Sequence, residues 1–112
     1  MDRDTGKLSA PGFNELIDAE RPGWAASAET AAAELLDLDR PFDGPVKILL
    51  AERDGVVTVT LTGLGDDSIE AVRYRVEFER GGDGLHRFVS GEWGQRCQEG
   101  RGHQSFAART CS

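Results

Sequence analysis

The feature that most constrains the fold of this chain is a change in hydrophobic period near residue 46. From there on, apolar residues recur at every second position, which is typical of strands with one buried face and one face in water. The clearest segment alternates Val72, Tyr74, Val76 and Phe78 with Arg73, Arg75, Glu77 and Glu79. The turn motifs Asp54-Gly55 and Gly81-Gly82-Asp83-Gly84 separate such segments. The pattern therefore predicts a four-stranded antiparallel meander.

The four predicted strands cover residues 46–52, 56–62, about 72–79, and 85 to about 96, with a loop at 63–68. In the second strand, Val57, Val59 and Leu61 share one face. Gly91 and Gly94 interrupt the fourth strand, and glycine inside a strand favours a bulge or a bend.

Upstream of residue 46 the apolar period is helical. A first short helix begins near Pro11, presents Phe13, Leu16 and Ile17 on one face, and ends at Arg21-Pro22-Gly23. A second helix has Ser27 as its N-cap and ends at Asp39-Arg40-Pro41. Its apolar positions at helical spacing are Ala28, Ala31, Ala32, Leu35 and Leu38.

Two N-terminal helices followed by a meander predict an α+β fold, with the helices packed on the apolar face of the sheet. Cystatin-like and NTF2-like domains share this layout, although a shared layout carries no function with it. The polar residues 1–10 are predicted to be a flexible leader, and residues 11–112 a single α+β domain.

Charge and hydropathy exclude two classes of partner. The chain of 112 residues carries a net charge of −7, and nucleic-acid binding depends on neutralising phosphate charge. No apolar run has the roughly 20 residues that a transmembrane helix needs, and the polar start is not a signal peptide. Residues 73–112 differ in having seven arginines against five acidic residues, which favours an acidic partner if that half binds one.

The two cysteines, Cys97 and Cys111, allow three interpretations. A disulfide would close a loop of about 15 residues, would contribute roughly 3 kcal/mol, and would hold a tail with few apolar residues. A metal site would add His103 and perhaps His86, at spacings that match no familiar zinc pattern. A nucleophilic cysteine with His103 as its base would lack a recognisable third partner. We adopt the disulfide, which predicts an oxidising compartment, and we predict no metal, cofactor or catalytic residue.

The loop between the cysteines is the best candidate for a binding surface, which we assign to Trp93, Arg101, His103 and Gln104. His103 follows a glycine in a turn, where a histidine most often organises the loop through hydrogen bonds. The segment Gly100-Arg101-Gly102 resembles an anion-binding nest only weakly, because it does not join a strand to a helix as a phosphate-binding loop does.

Two further patterns have simpler explanations. Trp24 and Trp93 are expected to pack in the core or at its rim. The cluster Asp66, Asp67, Ser68 and Glu70 has no EF-hand spacing, and we expect a solvated turn there instead of a calcium site.

The C-terminal residues resemble the signature of a group of small uncharacterised bacterial proteins from actinobacteria and cyanobacteria. The similar residues are Gly91-Glu92-Trp93-Gly94-Gln95-Arg96-Cys97, Gly100-Arg101-Gly102-His103-Gln104, Phe106 and Cys111, with the strand at 64–76. The chain departs from the pattern at Phe106, where tryptophan is expected. The resemblance implies a small exported or envelope-associated domain, and it supplies no catalytic residue.

These observations predict a non-catalytic binding or interaction module in the cell envelope or outside the cell, for an unknown protein or small ligand. A cytoplasmic location would follow if the cysteines were free. Two alternatives remain open. One is a small enzyme with a cavity between helices and sheet, for which Tyr74 is the only evident polar group on the inward face of the clearest strand. The other is a structural piece of a larger assembly.

Overall fold

Five antiparallel strands form one sheet, in the order β1-β5-β4-β3-β2, and two helices cover one of its faces. The structure is a computed structural model that describes residues 5–42, 44–65 and 67–112. The strands are β1 (Gly6–Lys7), β2 (Lys47–Arg53), β3 (Val56–Thr62), β4 (Ile69–Arg80) and β5 (His86–Cys97). The helices are α1 (Phe13–Glu20) and α2 (Ala28–Leu35), with one 3-10 turn at Gly23–Ala26 between them.

The predicted α+β class and the meander from β2 to β5 are confirmed, but the prediction of four strands is wrong by one. The additional strand, β1, lies inside the segment expected to be a flexible leader, and pairs Gly6 with Trp93 and Lys7 with Glu92. Two residues are too few to show an alternating pattern, so periodicity could not find this strand.

Both helices end where a residue takes a left-handed backbone conformation. Arg21 follows α1 with φ 45° and donates its N–H to Ile17 O. Ser27 caps α2 as predicted, because Thr30 N–H donates to its Oγ at 3.2 Å. This helix ends three residues before the predicted Leu38, since Asp37, with φ 53°, cannot continue a right-handed helix.

The core lies between α2 and the middle of the sheet. Its buried residues are Ala28, Ala31, Ala32, Leu36, Val57, Val59, Leu61, Val76 and Phe78. The small alanine side chains let the helix backbone lie close to β2 and β3. The predicted faces are correct, because Val57, Val59 and Leu61 pair with Val76, Tyr74 and Val72 on the helix side.

Two bulges interrupt the pairing of β4 with β5. Between the Glu77–Ser90 and Phe78–Phe88 pairs, β5 has one extra residue, Val89. This bulge lies two residues before Gly91, where the sequence suggested one, and it turns Phe88 towards the helices. The second bulge leaves Glu70 as the extra residue on β4.

An ionic cluster joins α1 to the hairpin between β4 and β5. Arg87 Nη2 lies 2.8 Å from an Asp18 carboxylate oxygen and 2.9 Å from an Asp83 one. Leu85 N–H also donates to Asp83, at 3.0 Å. The hydrogen bond from Arg87, followed by that from Leu85, holds the pKa of the Asp83 carboxyl far below its usual value.

Candidate functional site

The predicted disulfide is present and closes the C-terminal loop. Cys97, at the end of β5, is bonded to Cys111, and their Cα atoms lie 5.4 Å apart. Cys97 is fully buried, whereas Cys111 is half-buried near the chain end. The loop 98–110 is therefore held covalently to the edge of the sheet.

Backbone hydrogen bonds attach the same loop along the outer edge of β5. Gln95 and Ala107 exchange two of them, at 2.8 and 3.1 Å, as neighbouring strand residues do. Cys97 N–H donates to His103 O at 3.0 Å. The Gln104 side chain donates from Nε2 to Cys97 O at 3.0 Å. The loop thus pairs with the part of β5 that lies beyond the residues paired with β1.

The imidazole of His103 lies between the disulfide and β5. Its Nε2 is 2.9 Å from the carbonyl oxygen of Gln95, which can only accept, so Nε2 carries the proton of that hydrogen bond. Sγ of Cys97 lies 3.4 Å from Nδ1 and 3.8 Å from Nε2. A sulfur on the lone-pair axis of Nδ1 would lie much farther from Nε2 than from Nδ1. The similar distances therefore place the sulfur over the face of the ring.

The metal alternative requires Cys97, His103 and Cys111 to act as ligands, and their ligand atoms do lie within 4.8 Å of one another. The two sulfurs are bonded to each other, however, and zinc binds thiolates. His86, the fourth ligand considered, lies at the other end of β5, where a ring nitrogen is 3.0 Å from Ala25 O. The three side chains present a ligand set only if the disulfide is reduced and the imidazole turns.

Phe106 packs on the face of the sheet that points away from the helices. Its ring centre lies 4.4 Å from Cζ of Arg73 and 5.0 Å from Cζ of Arg96. Arg96 Nη2 in turn lies 2.7 Å from Glu70 Oε1. Such cation–π contacts are satisfied by any aromatic ring, so phenylalanine meets them here as tryptophan would.

Two glycines are required by the closeness of the loop. A Cβ on Gly94 would lie 3.0 Å from the backbone nitrogen of Ala107, where the loop crosses the strand. A Cβ on Gly102 would lie 2.9 Å from Sγ of Cys97, and its φ of 141° also favours glycine. These glycines therefore serve close packing of the loop against β5 and the disulfide.

The four residues predicted as a binding surface occupy different settings. Arg101 and Gln104 are exposed on the loop, while His103 is half-buried beneath it. Trp93 is half-buried on the helix side of β5, where it pairs with Tyr74 and lies against Gly6. Asp66 of the considered calcium cluster lies outside the described residues.

A polar groove of about 380 Å³ lies beside the loop. Its charged lining residues are Asp67, Glu70, Glu99 and Arg101. Sequence reasoning missed this groove, because it forms only when the start of β4 and the residues before it meet the C-terminal loop in the folded chain.

Asn14 is another residue that the sequence did not single out. Its side-chain amide donates from Nδ2 to Phe88 O at 3.0 Å and accepts from Phe88 N–H at 2.8 Å. The amide thus occupies the place of a neighbouring strand at this point of β5. Since Asn14 lies on α1, only the tertiary structure reveals this role.

Comparison with known proteins identifies no relative: no family model, no curated protein and no solved structure matches the chain. The resemblance of the C-terminal signature therefore remains a prediction. No helix in the described part of the chain is both long and apolar enough to cross a membrane.

Proposed function

We propose that this chain is a non-catalytic interaction domain of an oxidising, extracytoplasmic compartment. It would contact a protein or small ligand through the exposed side of the loop closed by Cys97 and Cys111. The cystatin-like or NTF2-like assignment of its layout belongs to the same proposal. The observation that carries it is the restraint of the loop, whose backbone is fixed while its polar side chains point outward.

A restrained loop is suited to binding because little conformational entropy is lost when a partner docks. The disulfide and the Gln95–Ala107 pairing restrain the loop from both ends. Arg101, Gln104 and Arg109 are exposed on it. The two arginines favour acidic groups on the part of the partner that faces them, whereas Glu99 and the carboxylates of the neighbouring groove favour basic groups beside it.

The disulfide supports the proposed compartment, because structural disulfides persist in secreted and envelope proteins and are rare in the cytosol. It closes a surface loop that has few apolar contacts of its own, mainly those of Phe106 and Ala107. Such a loop depends on its covalent link more than a core element would.

The enzyme alternative needs a cavity between the helices and the sheet. Val57, Val59 and Val76, none of which has exposed surface, fill the middle of that space. A cleft of about 430 Å³ between α1, Trp24 and α2 is lined mainly by apolar residues, and Glu34 is the ionisable side chain on its wall. Tyr74, its proposed inward polar group, is half-buried beside Trp93. The interaction domain is therefore the function that the geometry favours.

A photocrosslinking residue at Ser105, which is exposed on the loop, tests the binding surface in intact cells. We expect a discrete adduct that Arg101→Glu weakens by roughly tenfold or more, corresponding to about 1.4 kcal/mol of binding free energy. Arg21→Glu, an equal charge change at the end of α1, is the matched control and should leave the adduct unchanged. Equal labelling from Ser105 and from the exposed Glu20, or no adduct from Ser105, would refute the loop as the contact surface.

Alkylation of the native protein, without reductant, tests the compartment. Cells are treated with a thiol reagent before lysis, and the intact mass of the chain is measured. We expect neither Cys97 nor Cys111 to be modified. Two alkylated cysteines would contradict both the disulfide in the cell and the oxidising location.

A further inference from the structure

Strand β2 ends the sheet on the side opposite β1, and its exposed side chains are unusually apolar for an edge. Every residue of the strand is exposed. Ile48 is 37 % exposed, Leu49 55 % and Leu50 38 %. Among the described residues, β3 is the only strand paired with β2. An apolar edge strand with unpaired backbone groups is a template for pairing with another strand.

The backbone groups available at this edge follow from the hydrogen-bond pattern of the neighbouring strand. Phe78 N–H donates to Gly55 O at 2.8 Å, so the odd-numbered residues of β3 bond to β4. The even-numbered ones, such as Thr60, then bond back to β2. Leu49, the partner of Thr60, therefore points its N–H and C=O inward. Ile48, Leu50 and Glu52 present theirs to the open side.

We propose that two copies of this chain pair through β2, antiparallel, about a twofold axis at Leu49. The two five-stranded sheets then form one ten-stranded sheet with all four helices on one side. In this register Ile48 of one copy lies opposite Leu50 of the second, and Lys47 lies opposite Ala51. The two Leu49 side chains face each other across the axis.

The sequence of the strand itself argues for a second copy as the occupant, because in this register the three apolar residues Ile48, Leu49 and Leu50 meet one another and no two charges of like sign are paired. A twofold axis normal to the sheet pairs residues that point to the same face. Moving the axis by one residue along the strand therefore shifts the pairing by two residues. Centring the axis on Leu50 would place Lys47 directly opposite Arg53, and like charges in that position are destabilising. Centring it on Ala51 would place Leu49 opposite Arg53 and Leu50 opposite Glu52.

The register at Leu49 also matches the backbone. Ile48 and Leu50, which lie opposite each other in it, are both residues with outward N–H and C=O groups. They form hydrogen-bonded pairs on either side of the axis, as an antiparallel ladder requires. The backbone admits the other registers about such an axis as well, so the side chains are what select the alignment at Leu49.

A charge exchange at the axis is the decisive experiment. Light scattering on the full chain should give twice the chain mass for the parent protein. Leu49→Lys and Leu49→Glu should each give a monomer, because two like charges meet at the axis. An equimolar mixture of the two variants should regain the dimer mass. The matched control is Val89→Lys, which changes another exposed apolar residue, on β5, and should leave the dimer intact.

Hydrogen exchange provides a second measurement that does not depend on a variant. The amides of Ile48, Leu50 and Glu52 should become protected as the parent concentration rises, and should exchange fast in Leu49→Lys. A parent that stays monomeric would overturn the proposal and leave β2 as an edge for a strand of another protein. A dimeric parent whose variants do not dissociate, or whose mixture does not reassociate, would overturn the pairing at Leu49. Arg101→Glu should not change the mass, which separates this proposal from that of the loop surface.

Discussion

The two edges of the sheet differ in how their backbone groups are satisfied. Along β5 the partners come from three separate parts of the chain: Asn14 at Phe88, β1 with the following Leu8 at Gly91, Glu92 and Trp93, and the disulfide-closed loop at Gln95 and Cys97. Among the described residues no strand pairs with the outer side of β2, and no loop forms a backbone hydrogen bond to it. The same small domain thus closes one edge in detail and leaves the other open and apolar. The contrast indicates that the open edge is a feature of the protein and does not follow from its small size.

The closing of the β5 edge also shows how little regular structure is needed for it. Only two residues on that side, those of β1, are paired as a strand. The rest is achieved by a side-chain amide and by loop segments. An edge closed in this way is stable only if the segments that close it are themselves held in place. Variants that release each segment therefore test the comparison between the two edges.

The largest effect is expected from a charge in the core that both edges share. Val76 has no exposed surface and lies opposite Val57 on the helix side. Val76→Asp should unfold the domain, because an unpaired charge in an apolar interior costs several kcal/mol against a total stability of about 5–15 kcal/mol. Thr58→Asp, on the outer face of β3, is the control. Equal thermal melts for Val76→Asp and the parent would show that the faces of the sheet are assigned wrongly.

Removing the disulfide should loosen the closed edge more than the open one. The double change Cys97→Ser and Cys111→Ser should lower the free energy of unfolding by roughly 3 kcal/mol, from the loop entropy that the link removes. Hydrogen exchange should show that the amides of Gln95 and Ala107 lose protection first. Equal loss at Thr60, in the pairing of β2 with β3, would mean that the disulfide stabilises the whole fold evenly.

Asn14→Ala should release the edge at the other end of β5. The change leaves the N–H and C=O of Phe88 without their partner, which costs about 1–3 kcal/mol for groups shielded from water. Glu15→Ala, at the exposed neighbouring position of α1, controls for the loss of a polar side chain from the helix. Denaturant unfolding measures both. If the two variants are equally stable, the amide does not act as part of the edge.

His103→Gln tests whether the imidazole organises the loop. Glutamine retains a hydrogen-bond donor for Gln95 O, so the fold should persist, with a loss of about 1 kcal/mol, the value of a typical hydrogen bond. Elemental analysis of the purified parent should give no stoichiometric zinc. One zinc per chain, lost together with the fold in the variant, would favour the metal interpretation instead.

The smallest effect is expected at the ionic cluster, which lies on neither edge. Because the pKa of Asp83 is lowered in the folded state, its contribution to stability is present above its usual pKa of 3.8 and is lost as the pH falls. Asp83→Asn should therefore melt slightly below the parent at neutral pH, and the difference should shrink progressively as the pH falls below 3.8. A difference that grows as the pH falls would show that the sign is wrong.

Periodicity predicted the meander because every second residue of β3 and β4 faces a common core. The predicted bounds of β3, residues 56–62, agree with the structure, since Asp54-Gly55 fixes its start. β1 was missed because two residues carry no period. The end of α2 was placed too late, because Leu38 continues the apolar spacing although the backbone at Asp37 leaves the helix.

The candidate site was predictable where it rests on covalent chemistry and not where it rests on tertiary contacts. Two cysteines in a chain with no others predicted their own pairing. The partners of His103, Phe106 and Asn14 come from residues that no local pattern connects to them. Nothing in the residue order shows that the sulfur of Cys97 lies over an imidazole ring, or that two arginines meet one phenylalanine.

The Gln95–Ala107 bridge has a consequence for polymerisation. A protein with two open edges can add copies at both sides, and repeated head-to-tail addition produces filaments. Here the loop and β1 occupy the edge on which a third copy would have to dock. Pairing through β2 consequently stops at two chains, since the completed dimer presents a closed edge at each end. The disulfide that holds the loop in place would then also limit the assembly to two chains. Fibrous aggregates of this protein should therefore form first when the disulfide is reduced.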